Sequence, residues 1–130
     1  MGENPKNLKY SKEHEWVKLD GNVATVGVTD FAQEQLTDVV FVELPEKGKE
    51  AKQFKGIAVI ESVKSVSDVF SPLSGSVADV NTKLKEHPEM INKDPFGDGW
   101  ILKIKLKDRK ELDNLLTAEQ YTEFTRHTKH

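Results

Sequence analysis

The chain contains no cysteine, which excludes disulfides, thiolate metal sites and a cysteine nucleophile; any thiol or redox chemistry has to be borrowed. Arginine is nearly absent as well. Arg109 and Arg126 are the two arginines among 19 cationic residues, set against 22 acidic ones for a formal charge of −3. A duplex-binding surface normally shows a basic excess with arginines that pair bidentately, so nucleic acid is not expected as a partner. Apolar runs such as residues 57–60 and 39–42 are a few residues long, against the roughly 20 needed to cross a bilayer. Residues 1–6 hold no apolar signal core, and Lys6 stands where a myristoylation motif requires Ser or Thr. The expectation is a soluble cytoplasmic protein without membrane contact, or the mature form of a mitochondrial matrix protein.

Enzyme signatures are missing too. The sequence has no Gly-rich phosphate loop, no GxSxG elbow and no HExxH or similar metal spacing. Its four histidines, His14, His87, His127 and His130, are scattered. His127 and His130 share a terminal segment where solvated side chains are the ordinary outcome. His14 precedes Glu15 and so has a carboxyl neighbour for proton transfer, although a surface histidine at a strand start accounts for it as well. Asp94 and Asp98 flank turns, where carboxylates usually cap backbone N–H groups. No catalytic residue and no metal site is expected.

What is present is one domain's worth of chain: 130 residues, 36% hydrophobic and 32% charged, read as a single domain over 1–130 with 1–7 and 125–130 as flexible ends. Residues 15–28 read as a hairpin turning at Asp20, Gly21 and Asn22. Thr29 and Asp30 offer N-cap oxygens, with Gln33 as capping-box partner of Asp30, for a short helix reaching Leu36. Val39 to Leu44 forms a strand, and the lysine-rich stretch 46–55 a solvated loop or edge. Residues 57–62 and 66–70 make a hairpin turning at 63–65, and a second hairpin follows through Pro72 to Gly75 into Ser76–Val80. Residues 81–99 are mainly loop with a helical turn near Leu84. From Trp100 to Leu106 apolar and lysine residues alternate, as a half-buried strand requires. Asp108 caps one C-terminal helix, and Thr117 with Gln120 forms a capping box for another. Seven short strands without βαβ alternation predict a mainly β sandwich or barrel with short peripheral helices, including a C-terminal helical pair.

One segment stands apart, from Gly56 to Gly75. Lys64 lies at the tip of a tight hairpin between two strands that the core should hold still, with Glu61 three residues before it and the turn Pro72, Leu73, Ser74, Gly75 after it. A turn lysine by itself is an ordinary solvated residue. The surrounding words are more specific: Leu8, Lys9, Tyr10 through His14, Glu15, Trp16; Val39 through Pro45; Glu61, Ser62, Val63, Lys64; Ser67, Asp68; Ser71 through Gly75; Val80, Asn81; Gly99, Trp100. Over about Leu8 to Phe124 the chain resembles the glycine cleavage system H-proteins, within the lipoyl and biotinyl carrier superfamily.

The resemblance implies a barrel-sandwich hybrid fold and a carrier that is not itself an enzyme. Lys64 would be the lipoate attachment site, with Glu61, Ser62, Val63, Ser65 and Gly75 forming the attachment hairpin and its recognition features, and with Glu15, Ser67 and Asp68 docking the arm. Attachment removes a cation, moving the charge from −3 to −4, and supplies the two sulfurs that the polypeptide lacks. The implied partners are a pyridoxal-phosphate glycine decarboxylase, a tetrahydrofolate-dependent aminomethyltransferase, an FAD dihydrolipoyl dehydrogenase, and a lipoate ligase or lipoyl/octanoyl transferase. The aminomethyl group of glycine would travel on the arm between the first two. Phe31 stands where many members carry histidine, and Gln35 likewise offers no imidazole to the arm. Val63 and Ser65 differ from the methionines that flank a biotinyl lysine, and Val63 from the Asp before the lysine of oxo-acid dehydrogenase lipoyl domains. Two alternatives stay open: a lipoate relay protein that donates its group to other carriers, and a non-lipoylated binding module on the same scaffold.

Overall fold

The computed structural model describes residues 4–127. Nine strands form two antiparallel sheets. β1 (Lys9–Tyr10), β2 (Glu15–Asp20), β3 (Val23–Val28), β9 (Leu102–Leu106), β8 (Gly75–Val80) and β5 (Glu50–Ala51) make a six-stranded sheet in that spatial order; β4 (Val39–Glu43), β6 (Gly56–Ser62) and β7 (Val66–Phe70) make a three-stranded one. The main core lies between them, with Val26, Val42, Ile60, Val69, Leu102 and Ile104 among its buried residues. A second cluster joins Tyr10 and Trp16 to Tyr121 of the C-terminal helix α3 (Ala118–Arg126). The mainly β architecture with short peripheral helices is the one expected.

The β2–β3 hairpin forms in full register from Glu15↔Val28 to Asp20↔Val23, closed by Gly21 at φ +63°, a left-handed position that costs glycine little. The strand over 100–106 buries Leu102 and Ile104 and leaves Lys105 exposed. Thr117 and Gln120 make the capping box that starts α3.

Several expectations are corrected. Residues 66–80 are not a hairpin: β7 pairs with β6, whereas β8 pairs with β9 and β5, so residues 71–74 carry the chain from one sheet to the other. Leu73 is fully buried in that crossing, and Ser71 exchanges backbone hydrogen bonds with Phe54 and Lys55, so core burial rather than turn chemistry directs it. Asp30 does not cap helix α1 (Asp30–Leu36). The cap is Thr29, whose hydroxyl accepts from Ala32 N, while Gln33 Nε2 donates to the Asp30 side chain. The loop over 81–99 contains both a 3-10 turn at Thr82–Lys85 and helix α2 (Met90–Lys93), and the first member of the C-terminal pair is a 3-10 turn, Arg109–Asn114, capped by Asp108. Seven strands become nine because β1 and β5 are two-residue pairings. Within the segments expected to be flexible ends, Asn4 Nδ2 donates to Thr122 Oγ1 at 2.9 Å, Pro5 O accepts from Tyr10 Oη, and α3 runs to Arg126. His130 lies outside the described residues. Among the described residues no helix is long and apolar enough to cross a membrane.

Candidate functional site

Lys64 sits at the tip of the β6–β7 hairpin, whose register runs from Gly56↔Phe70 to Glu61↔Val66. The turn is held from within. Ser62 N donates to Ser65 O at 2.8 Å, Ser65 N donates to Ser62 Oγ at 3.2 Å, and Val63 N is anchored on Asp38 O at 3.0 Å. Ser62 is buried and acts through the turn backbone, whereas Val63, Lys64, Ser65 and Val66 are exposed. The amino group therefore projects into solvent from a backbone with little freedom. Glu61 is half-buried on β6, opposite Val66 and, on the other side, Phe41 of β4. Gly75 is not brought to this tip. It opens β8 in the other sheet, where a Cβ would strike the Lys105 carbonyl oxygen, so its requirement is the close approach of β8 to β9.

Beside the hairpin is a cleft of about 410 Å³, walled by residues 13–15 leading into β2, by Phe31, Ala32, Gln35 and Leu36 of α1, and by residues 67–70 of β7. Val28, Ile60 and Val69 give it apolar surface. The three residues expected to dock an arm, Glu15, Ser67 and Asp68, all line it, and so do Phe31 and Gln35. Asp68 lies on β7 four residues after Lys64, which is in the turn, so the two are within roughly 13 Å at about 3.3 Å per extended residue.

Glu15 is the unusual group. It is 1% exposed, and its carboxyl accepts from Ser11 Oγ at 2.5 Å and from Phe70 N at 3.1 Å, linking the approach to β2 with the end of β7. Burial pushes its pKa up from 4.5 to about 8, with the nearby charge of Glu13 adding a little and the two hydrogen bonds opposing. A neutral carboxyl is thus stored in the cleft wall, able to become an anion when a cation arrives.

His14, left open between surface and proton-transfer roles, is half-buried and lines the same cleft. Its φ of 73° is left-handed, its ring packs on Phe31 with centroids 4.6 Å apart, and its Nδ1 is 2.7 Å from Tyr121 Oη. Burial lowers its pKa. The link to Tyr121 spans 107 residues, and no spacing in the sequence announces it. Ser11, which holds Glu15, falls within the Tyr10 to His14 stretch that carries the resemblance, but nothing in the sequence gives it that role. Among the described residues no cluster suited to a metal ion occurs.

The model of the glycine cleavage H-protein family matches residues 8–128. The chain belongs to that family. Among curated H-proteins, that of Symbiobacterium thermophilum is 59% identical over 97% of this chain and 98% of its own length, and that of Thermotoga maritima 54% identical over 92% and 96%. The crystal structure of a glycine cleavage system H-protein from Mycobacterium marinum superposes with a TM-score of 0.84 at 33% identity, covering 95% of this chain and 99% of that one. H-proteins are lipoyl carriers, and this member presents an exposed lysine on a rigid tip next to a half-apolar cleft.

Proposed function

We propose that this H-protein carries the aminomethyl group of glycine on a lipoyl arm attached to Lys64, between the glycine decarboxylase and the aminomethyltransferase of a cytoplasmic glycine cleavage system, with a dihydrolipoyl dehydrogenase restoring the arm. The single observation that carries the reading is the pairing of the exposed tip lysine with the cleft that opens within roughly 13 Å of it, along the β7 arm of the same hairpin. A lipoylated lysine is on the order of 15 Å long when extended, taking about 1.25 Å per bond, so the arm is long enough to reach the cleft.

The lipoyl group, once attached by a ligase or transferase, supplies a disulfide that accepts the aminomethyl group and a dithiol to be reoxidised. The residues in the cleft fit such a group. Val28, Ile60, Val69 and Phe31 offer apolar contact to an alkyl chain, and the mouth carries Ser67 and Asp68. Glu15, neutral when the cleft is empty, would give up its proton beside an ammonium, forming a charge-assisted pair out of bulk water. Asp68 is exposed at the cleft and would pair with the same amine from the solvent side. Ser62, Val63 and Ser65 hold the turn that presents Lys64 to the attaching enzyme.

The test is exchange of bicarbonate into the glycine carboxyl by a glycine decarboxylase supplied with the lipoylated chain. Exchange that depends on Lys64 supports the reading. A lipoylated chain that supports no exchange but passes its lipoyl group to another carrier would be a relay protein instead.

A further inference from the structure

Thr29 is fully buried, and its Oγ1 accepts from Ala32 N at 3.2 Å as the cap of α1. Its own hydroxyl hydrogen then has a single acceptor among the described residues, Tyr121 Oη at 2.7 Å. With one lone pair so used, the Tyr121 hydroxyl hydrogen is left for His14 Nδ1, also at 2.7 Å. The opposite direction would strand the Thr29 hydrogen, fully buried and with no other acceptor among the described residues, which costs about as much as a lost hydrogen bond. The relay Thr29 to Tyr121 to His14 therefore requires an unprotonated Nδ1 and places the imidazole hydrogen on Nε2.

That Nε2 has no hydrogen-bond partner among the described residues, and none of their buried polar side-chain atoms is left unpaired, so it is not sealed off from solvent. The ring lines the cleft between Glu15 and Phe31 and is held in a left-handed backbone conformation, a cost usually retained for a reason of function. A neutral N–H donor there adds no positive charge to repel an ammonium, and it suits a neutral acceptor. The acceptors that a lipoyl arm brings to its far end are its sulfurs.

We propose that His14 is an arm-binding residue whose Nε2–H is donated to a sulfur of the docked lipoyl group, and that Tyr121 of α3 is the positioning residue that fixes the tautomer. This rests on Lys64 being lipoylated and on the arm entering the cleft. It extends the site to the C-terminal helix, some 57 residues from the attachment lysine in sequence (121 against 64).

The experiment uses the full chain with ¹⁵N-labelled histidine, before and after lipoylation and reduction by a phosphine. In the unlipoylated chain, His14 shows a protonated Nε2 and a bare Nδ1; Tyr121→Phe mixes the two tautomers while far-ultraviolet circular dichroism stays that of the parent. On lipoylation and reduction the Nε2–H resonance shifts, together with the amides of Ser67 and Asp68. His14→Gln, which places an amide N–H near the Nε2 position, keeps the docked fraction, whereas His14→Phe lowers it about three- to tenfold, the range of one hydrogen bond. A protonated Nδ1 in the unlipoylated chain overturns the proposal. So does docking sensed at Ser67 and Asp68 with His14 unmoved, which leaves the carrier reading intact; failure of lipoylation, or no docking signal at any of the three residues, overturns both.

Discussion

Glu15→Gln isolates the stored proton. In the folded chain the carboxyl holds its proton up to about pH 8, while an unfolded chain releases it near 4.5. Between those values the native state binds a proton that the unfolded state lacks, so stability is full below pH 4.5 and falls as pH rises through 8. At about 1.36 kcal/mol per pH unit the loss reaches about 4 kcal/mol by pH 8. Glutamine fits the same wall without titrating: its carbonyl oxygen accepts from Phe70 N, and its amide donates to Ser11 Oγ. The assay is reversible thermal or urea unfolding of both proteins at pH 4.5 and pH 8. With an unfolding entropy of about 2.1 cal/mol/K per residue, 4 kcal/mol amounts to about 15 °C in Tm for a chain of this length. The parent should lose that much more than the variant between the two pH values, since every other titrating group is common to both. Parallel curves would show that Glu15 titrates alike in the folded and unfolded chains, and the buried-acid account of the cleft would be wrong.

Gly27→Ala places a Cβ 2.6 Å from Cζ2 of Trp16, whose indole is pinned by Nε1 donating to Pro95 O at 2.9 Å; overpacking of that kind should cost about 1–3 kcal/mol and lower Tm by roughly 4–11 °C in a calorimeter. Asn81→Ala strips the buried amide that donates to Asp98 O and Trp100 O at 2.9 and 2.8 Å, and should destabilise by about 1–3 kcal/mol in urea unfolding. Asp68→Asn and Glu15→Gln should both hasten the release of formaldehyde and ammonia from the aminomethyl-loaded chain, and an unchanged decay in both variants would remove those carboxyls from the arm-docking account.

The hairpins over 15–28 and 57–70 were legible because alternation, a short turn and core-facing residues coincide within one stretch of chain. The crossing at 71–74 was not. Pro72 to Gly75 has the composition of a tight turn, and only the burial of Leu73 between distant elements sends β8 to the other sheet. The two-residue strands β1 and β5 are too short to carry a period, and their pairing is dictated by neighbours. The cleft was legible in part: Glu15, Ser67 and Asp68 were named through resemblance, and they meet where the start of β2 is tied to the end of β7 by Phe70 N donating to Glu15. Local patterning says nothing of Ser11 beneath Glu15 or Tyr121 behind His14, since both contacts depend on tertiary packing.

The central claim is that Lys64 is a lipoyl attachment site. Intact mass spectrometry after incubation with lipoate, ATP and a lipoate ligase tests it most directly. One lipoyl increment on the parent chain and none on Lys64→Ala is the predicted result; no increment on the parent, or an increment that persists in Lys64→Ala, would contradict it.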